Sequence, residues 1–203
     1  MTNIPINIVV EDDLSEAVLR QILKQSQRNF SIGKCLKRQG YGYIKRILPG
    51  INDAAKGSPY LVLTDLDRNE CPLALLREWL SSPKHPNLIF RVAVVEVESW
   101  LLGHREAFAE FLRISVNLIP DDLDSVPDPK QLLIELAKKS KKRDLRDAIV
   151  PAKNSTAKIG KDYNGQLIQF VNQTWQAEIA RNHSRSLDRA INAIVRFEPT
   201  WQV

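Results

Sequence analysis

Cysteine is scarce in this chain of 203 residues. Its two cysteines, Cys35 and Cys71, do not form a CxxC pair, and the three histidines lack HxxxH spacing. This argues against a disulfide framework and against a zinc site built on cysteine and histidine. We expect both thiols to be reduced and structural, as in cytoplasmic proteins.

Long hydrophobic runs are also missing. The longest apolar stretches fall far short of the roughly 20 residues that span a membrane. Residues 1–5 show no basic region followed by an apolar stretch, so the sequence predicts no secretory signal. With 43% hydrophobic and 26% charged residues, the composition is that of an ordinary globular protein, and we expect a cytoplasmic location without membrane contact.

The common nucleotide-binding and hydrolase motifs are absent as well. The sequence contains no GxxxxGK[ST], no GxGxxG and no GxSxG, which argues against a mononucleotide cradle and a serine hydrolase. Residues 30–57 are basic and contain several glycines, with Tyr41 and Tyr43 among them. Such a stretch can contact a phosphate backbone and stack on bases, but we favour a solvated loop leading into a helix near residues 44–48.

Positive charge is in modest excess. Lysine and arginine number 29 against 24 acidic residues, which gives a net charge of +5. This balance permits a polyanionic partner such as nucleic acid. The densest basic run is residues 138–143, and Lys153, Lys158 and Lys161 follow in a polar stretch that we expect to be a loop. These three lysines are candidates for phosphate contacts, although loop lysines are commonly just solvated.

Two acids follow the apolar run at residues 61–64. Such a run is typical of a buried strand, and Asp65 and Asp67 come directly after it. Because side chains alternate along an extended chain, we expect both carboxylates on the same side. Two adjacent carboxylates repel, and a hard divalent cation is their usual partner. The plainer alternative is that Asp65 caps a turn while Asp67 is solvated.

Acids end two further predicted strands. The strand at residues 4–10 runs into Glu11, ahead of a helix that Asp13 and Glu16 would begin as a capping box. The strand at residues 88–95 runs into Glu96 and Glu98. In a right-handed parallel α/β sheet these junctions lie at one edge, so the sequence predicts that the acids converge on a metal site.

These elements predict an α/β fold, a mainly parallel sheet flanked by helices. We expect an α/β core over residues 1–120 and a helical C-terminal extension over residues 121–203. Residues 120–129 are acidic and contain proline, and we expect them to form a solvated linker. The helices after the linker predict that the extension packs on the core.

The strand-end acids resemble those of TOPRIM domains. The likeness lies in Val9-Val10-Glu11-Asp12, in Asp65-Leu66-Asp67 and in Glu98 with the following Trp100-Leu101-Leu102. Asp12 stands where many relatives have glycine. A closer likeness is to a family of small, mostly bacterial TOPRIM-like proteins described as uncharacterised, and it recurs weakly in residues 160–164 and 184–187. The resemblance implies metal-dependent phosphodiester chemistry and a setting beside an ATPase in bacterial defence or toxin-like modules.

We therefore expect a nuclease that uses Mg²⁺ or Mn²⁺. Asp65, Asp67 and Glu98 would bind one or two ions, and Glu11 would be a ligand or the general acid or base. Glu96 and Asp12 are alternate or supporting ligands. The alternative is a non-catalytic TOPRIM-like subunit that binds an ATPase or nucleic acid. DNA and RNA both remain open as substrates, and so does the oligomeric state.

Overall fold

The first part of the chain forms a parallel sheet. A computed structural model describes residues 3–37, 42–67 and 71–200. Its four strands pair in the order β2-β1-β3-β4, all parallel, which confirms the predicted α/β fold with a parallel sheet. The strands are β1 Ile4–Val10, β2 Phe30–Lys37, β3 Tyr60–Asp65 and β4 Leu88–Ala93.

Helices connect the strands and make up most of the later chain. Those between the strands are α1 Asp13–Gln25, α2 Tyr43–Ala54 and α3 Pro72–Trp79. Those that follow are α4 Val97–Leu102, α5 Arg105–Leu112, α6 Pro129–Lys138, α7 Arg143–Ile149, α8 Tyr163–Gln173, α9 Ala177–Ala180 and α10 Arg185–Val195. In the part of the chain that the structure describes, none of them has the length and apolar character to cross a bilayer.

The strand order creates a switch point between β1 and β3. From β1 the chain crosses to β2 on one side, and it then returns to place β3 on the other side of β1. At such a position the connections leave the sheet in opposite directions. Open α/β sheets bind their ligands in the crevice beyond the carboxyl ends of these two strands.

Burial explains why the central strands are easy to recognise in the sequence. Leu61, Val62 and Leu63 of β3 are at most 1% exposed, so both faces of the strand are covered. Such strands have continuous apolar sequences without polar alternation. On one face of the sheet, Trp79 packs edge-to-face on Phe90 with ring centroids 6.0 Å apart.

The loop predicted at the start of residues 30–57 is wrong, because residues 30–37 form strand β2. This strand pairs in parallel with β1 through the main chain, from Ile4 opposite Phe30 to Val10 opposite Lys37. It lies at the edge of the sheet, and most of its side chains are partly or fully exposed. Edge exposure tolerates polar residues, so the hydrophobic alternation that marks a strand is lost. The predicted helix near residues 44–48 is confirmed within α2, while Tyr41 lies outside the described residues.

Helix α1 begins one residue earlier than the predicted capping box. Asp12 is its N-cap and accepts a hydrogen bond from the Ser15 backbone N–H at 2.8 Å, so the choice of Asp13 as the cap is wrong. Asp13 and Glu16 lie in the first turn. Both positions favour acids, because the helix dipole and the uncapped N–H groups attract negative charge there.

Residues 95–188 form a compact helical unit, and the described parts of residues 1–94 and 189–203 form a second compact unit, which contains the sheet. The boundary predicted from the sequence, at residue 120, differs from this division. Large aromatic side chains fill the core of the helical unit. Trp100 and Trp175 are at most 1% exposed, and the Trp175 indole N–H donates to the Trp100 carbonyl at 3.0 Å. Phe108 and Phe170 meet edge-to-face with centroids 5.1 Å apart.

Asp124, among the acids of the predicted solvated linker, has a structural role. Asp124 accepts hydrogen bonds from the Ser184 hydroxyl at 2.6 Å and from the Ser186 backbone N–H at 2.9 Å. The Ser184 hydroxyl also accepts from the Leu187 N–H at 3.2 Å, as the N-cap of a helix does. The expectation that all linker acids are merely solvated is therefore wrong for Asp124, because these polar groups at the start of α10 need an acceptor.

Gly160 provides a test of how closely the chain packs on α7 in the helical unit. A Cβ at this position would lie 2.1 Å from the Ala148 carbonyl oxygen, whereas a Cβ at Gly50 would meet nothing within 4 Å. We expect Gly160→Ala to lower the free energy of unfolding by about 1–3 kcal/mol through overpacking. Gly50→Ala, inside α2, should instead raise it by about 0.5–1 kcal/mol. Urea denaturation measures both, and equal effects would contradict the packing at Gly160.

Candidate functional site

Glu11 lies at the switch point of the sheet. It directly follows β1, whose residue Val9 pairs with Val62 of β3. Continuing this register by two residues sets Glu11 beside Thr64. The Thr64 hydroxyl accordingly donates to Glu11 Oε1 at 2.5 Å, and the backbone N–H of Asp65 also bonds to this carboxylate. The end of β3 thus holds the Glu11 side chain in place.

Asp67 approaches Glu11 from the end of β3, and Asp65 reaches it through its backbone N–H. Asp65 is the last residue of that strand, and the next residue, Leu66, donates its N–H to the Ala93 carbonyl at 2.9 Å. Asp67 has a φ of 49°, in the left-handed region, so the extended conformation predicted for it is wrong. Its charge nevertheless lies close enough to raise the pKa of Glu11. Acids from two separate segments therefore meet at this edge.

The surroundings of Glu11 disfavour its ionised form. Burial raises the pKa of Glu11 above its ordinary value, and repulsion from Asp67 and Asp12 adds to this. The hydrogen bonds from Thr64 and from the Asp65 N–H act in the opposite direction but do not reverse the shift. None of these five influences comes from a cation. A proton or a bound cation would relieve the repulsion.

The donor atoms at this edge fit a hard divalent ion. Carboxylate oxygens are the ligands that Mg²⁺ prefers. The side chains of Glu11, Asp65 and Asp67 all end in carboxylates. Within residues 3–37, 42–67 and 71–200, no group of three or more histidine, cysteine or acidic side chains has the arrangement of a metal site. The metal assignment therefore stays a prediction. Asp12, an alternate candidate, already has one carboxylate oxygen engaged in capping α1.

Glu96 and Glu98 belong to the helical unit and meet at Lys130. Glu96, with an extended backbone, is the N-cap of α4, and Glu98 lies in the first turn of this helix. The Lys130 ammonium lies 3.2 Å from Glu96 and 3.5 Å from Glu98. Glu96 also accepts from the Lys130 backbone N–H at 3.2 Å, near the start of α6.

Glu98 is deeply buried, with 2% of its surface exposed. The Tyr163 hydroxyl donates to its Oε1 at 3.0 Å, while Oε2 has no hydrogen-bond partner among the described residues. Burial raises the pKa of Glu98, and the positive charge of Lys130 opposes this shift. The assignment of Glu98 as a metal ligand stays a prediction.

The three candidate phosphate-binding lysines belong to the helical unit. Lys153, Lys158 and Lys161 are all exposed, in the segment between α7 and α8. A loop was predicted here, and the described chain has turns and irregular structure up to the start of α8. Their phosphate-binding role stays a prediction.

Sequence reasoning missed the residues that bind the acids. Thr64 is visible beside Asp65, but its contact with Glu11 depends on the β1–β3 register. Lys130 gives no local signal, because it contacts acids more than 30 residues away. Tyr163 lies in residues 160–164, where the family resemblance recurs weakly, and that was the one signal available.

Comparisons with known proteins add no assignment to this geometry. No protein-family model matches the chain, and searches of curated proteins and of solved structures find no match either. What the structure itself defines is a parallel α/β protein with acids gathered at its switch point.

Replacing Glu11 by glutamine should stabilise the protein at high pH. Because the pKa of Glu11 is raised in the folded state, its ionisation costs stability. This cost is absent below the ordinary pKa of 4.5 and complete above the raised value. We expect the gain in unfolding free energy of Glu11→Gln over wild type to be larger at pH 8 than at pH 4, as measured by urea denaturation.

Asp53→Asn is the matched control for this experiment. Asp53 is an exposed acid of α2 that pairs with Lys56 at 3.1 Å, so its neutralisation relieves no repulsion between acids. It should give no gain at pH 8. A Glu11→Gln gain that is the same at both pH values would contradict the raised pKa.

Removing the Tyr163 hydroxyl tests the anchoring of Glu98. Tyr163→Phe deletes the donor to Glu98 Oε1, and we expect it to lower the free energy of unfolding by about 1–2 kcal/mol. Tyr60→Phe, in a partly buried strand residue, is the matched control and should cost less. Equal losses in the two variants, measured by urea denaturation, would show that the bond to Glu98 adds no stability.

Proposed function

We propose that this protein is a metal-dependent phosphodiesterase that cleaves nucleic acid at the switch point of its sheet. The observation that carries the proposal is the convergence of Glu11, from β1, with the charge of Asp67, just after β3, while Asp65 contributes its backbone N–H. Gathering acids at one edge contributes nothing to folding, because like charges repel and burial costs each of them free energy. A function that requires a cation explains their presence.

Asp65 and Asp67 would hold the cation, Mg²⁺ or Mn²⁺. A divalent ion bound there would neutralise charge on the phosphate and lower the pKa of a water molecule. Only carboxylate side chains are assigned to it, which matches the hard character of both ions. The TOPRIM resemblance implies the same two aspartates as ligands.

Glu11 would transfer the proton. A raised pKa brings a carboxyl group closer to neutral pH, where it can both accept and release a proton. The Thr64 hydroxyl and the Asp65 N–H fix the orientation of the carboxylate. Glu11 is partly exposed, so a substrate could reach it. Glu11 would serve as the general base or acid of the cleavage step.

The substrate class rests on charge and on the family resemblance. A net charge of +5 favours a polyanion such as DNA or RNA. The resemblance adds an ATPase partner and a place in a bacterial defence or toxin-like module. The alternative is a non-catalytic subunit that binds an ATPase or nucleic acid, and the assay below separates the two.

Cleavage should depend on metal and on the three acids. We would incubate the purified full chain with single- and double-stranded DNA and RNA, with Mg²⁺, Mn²⁺ or EDTA. Asp65→Asn and Asp67→Asn should abolish metal-dependent cleavage, and Glu11→Gln should slow it by at least about 100-fold. Gel electrophoresis of end-labelled substrates gives the rates.

Asp53→Asn again serves as the control, since it removes an acid of the same unit at an exposed site of α2. It should cleave at the wild-type rate. In a thermal melt, Mg²⁺ should raise the Tm of wild type and of Asp53→Asn but not that of Asp67→Asn. Cleavage that survives in both aspartate variants would reject this site. A protein that binds nucleic acid but cleaves none under any condition would favour the non-catalytic alternative.

A further inference from the structure

The helical unit contains a cavity that the proposed chemistry does not use. It has a volume of about 710 Å³ and is lined by α5, by the start of α7 and by α8. Pockets for small ligands typically measure about 300–1,000 Å³. Three cations line it against two carboxylates, those of Glu110 and Asp144. The cations are Arg113, Lys142 and Arg143.

The densest basic run of the sequence supplies two of these cations, and Ser140 fixes that run in place. Ser140 is 2% exposed and donates its hydroxyl to the Leu112 carbonyl at 2.7 Å, at the end of α5. The same hydroxyl accepts from the Lys142 backbone N–H at 3.1 Å. The Lys142 ammonium then lies 5.9 Å from the centre of the Phe111 ring. The cation is thereby positioned at the cavity wall.

Arg113 has a backbone conformation that is unfavourable for any residue other than glycine or asparagine. Its φ of 51° is left-handed, and it caps the end of α5, where glycine or asparagine is usual. A residue with a Cβ is strained in this conformation. Neither Arg113 nor Lys142 makes a side-chain ion pair in the part of the chain that the structure describes. Both charges remain available to an anionic ligand.

The lining of the cavity also includes an aromatic ring and amide groups. Phe111 is partly exposed and packs on Phe170, with centroids 5.1 Å apart. Gln166, Gln169 and Gln173 of α8 recur at helical spacing and all line the cavity. Carboxamides donate and accept hydrogen bonds, as the edges of nucleobases do, and aromatic rings stack on bases.

We propose that this cavity binds a nucleotide, either free or as one unit of a single strand. Arg113 and Lys142 contact the phosphate, Phe111 contacts the base, and the α8 glutamines bond to the base edge. The inference goes beyond the phosphodiesterase proposal and does not depend on it. All of its residues lie within residues 95–188, whereas Glu11 and the sheet belong to the other unit.

The test is binding by the full chain in EDTA, which excludes cleavage and metal effects. The probes are fluorescent hexauridylate and hexathymidylate, read by anisotropy, together with AMP, UMP and inorganic phosphate, read by calorimetry. We expect the nucleotides to bind at least about tenfold more tightly than phosphate, because a base adds stacking contacts that phosphate lacks. Comparing mononucleotides with hexanucleotides separates a free nucleotide from a single strand as the natural ligand.

Charge-removing variants locate the site. Lys142→Gln keeps the side-chain length, and Arg113→Asn suits the left-handed backbone. Lys139→Gln is the matched control, because Lys139 is an exposed cation of the same basic run that does not line the cavity. For the hexanucleotides, Lys142→Gln should reduce the slope of log K against log salt by about 0.7, the value for one phosphate contact on a single strand. Lys139→Gln should leave the slope unchanged.

Equal slopes in Lys142→Gln and Lys139→Gln would overturn the proposal, and so would nucleotides that bind no more tightly than phosphate. Photo-crosslinking of 4-thiouridine monophosphate to wild type needs no variant and therefore does not depend on variant folding. Mass spectrometry should map the adducts to residues 107–113 or 166–174. Adducts confined to other segments, or no binding by any probe, would reject the site.

Discussion

The parallel pairing of β1 with β3 is the constraint on which the candidate site depends. Val9 opposite Val62 fixes a register that carries Glu11 to the Thr64 hydroxyl and to the Asp65 N–H. The same register brings the charge of Asp67 near Glu11, in a place where burial already disfavours ionisation. The sheet thus holds acids together at a cost in stability, and a divalent cation would offset that cost.

The sequence predicts the central sheet well, because its strands are buried on both faces and are therefore continuous apolar runs. It fails at β2, where edge exposure mixes Ser31 and Lys34 among apolar residues. It also places acids correctly at the ends of strands, but it predicts the wrong backbone conformation for Asp67. Alternation holds only in an extended chain, whereas Asp67 is left-handed and Glu98 is helical.

Contacts in the helical unit are harder to predict, because they join polar residues that are far apart in the chain. Asp124 bonds to the serines at the start of α10, and Ser140 bonds to the end of α5. Neither contact leaves a periodic trace in the sequence. The basic run at residues 138–143 is obvious by composition, yet only the fold directs two of its cations to the cavity.

Paramagnetic broadening by Mn²⁺ tests the central claim most directly, since it reports where a divalent ion binds without requiring catalysis. In an NMR titration of the full chain with substoichiometric Mn²⁺, the amides of residues 11–13 and 64–66 should broaden first. Those of Asp53 and Lys56, an exposed ion pair of the same unit, should stay sharp. Broadening that begins at Asp53, or that spreads evenly over all exposed acids, would contradict a cation site at the switch point.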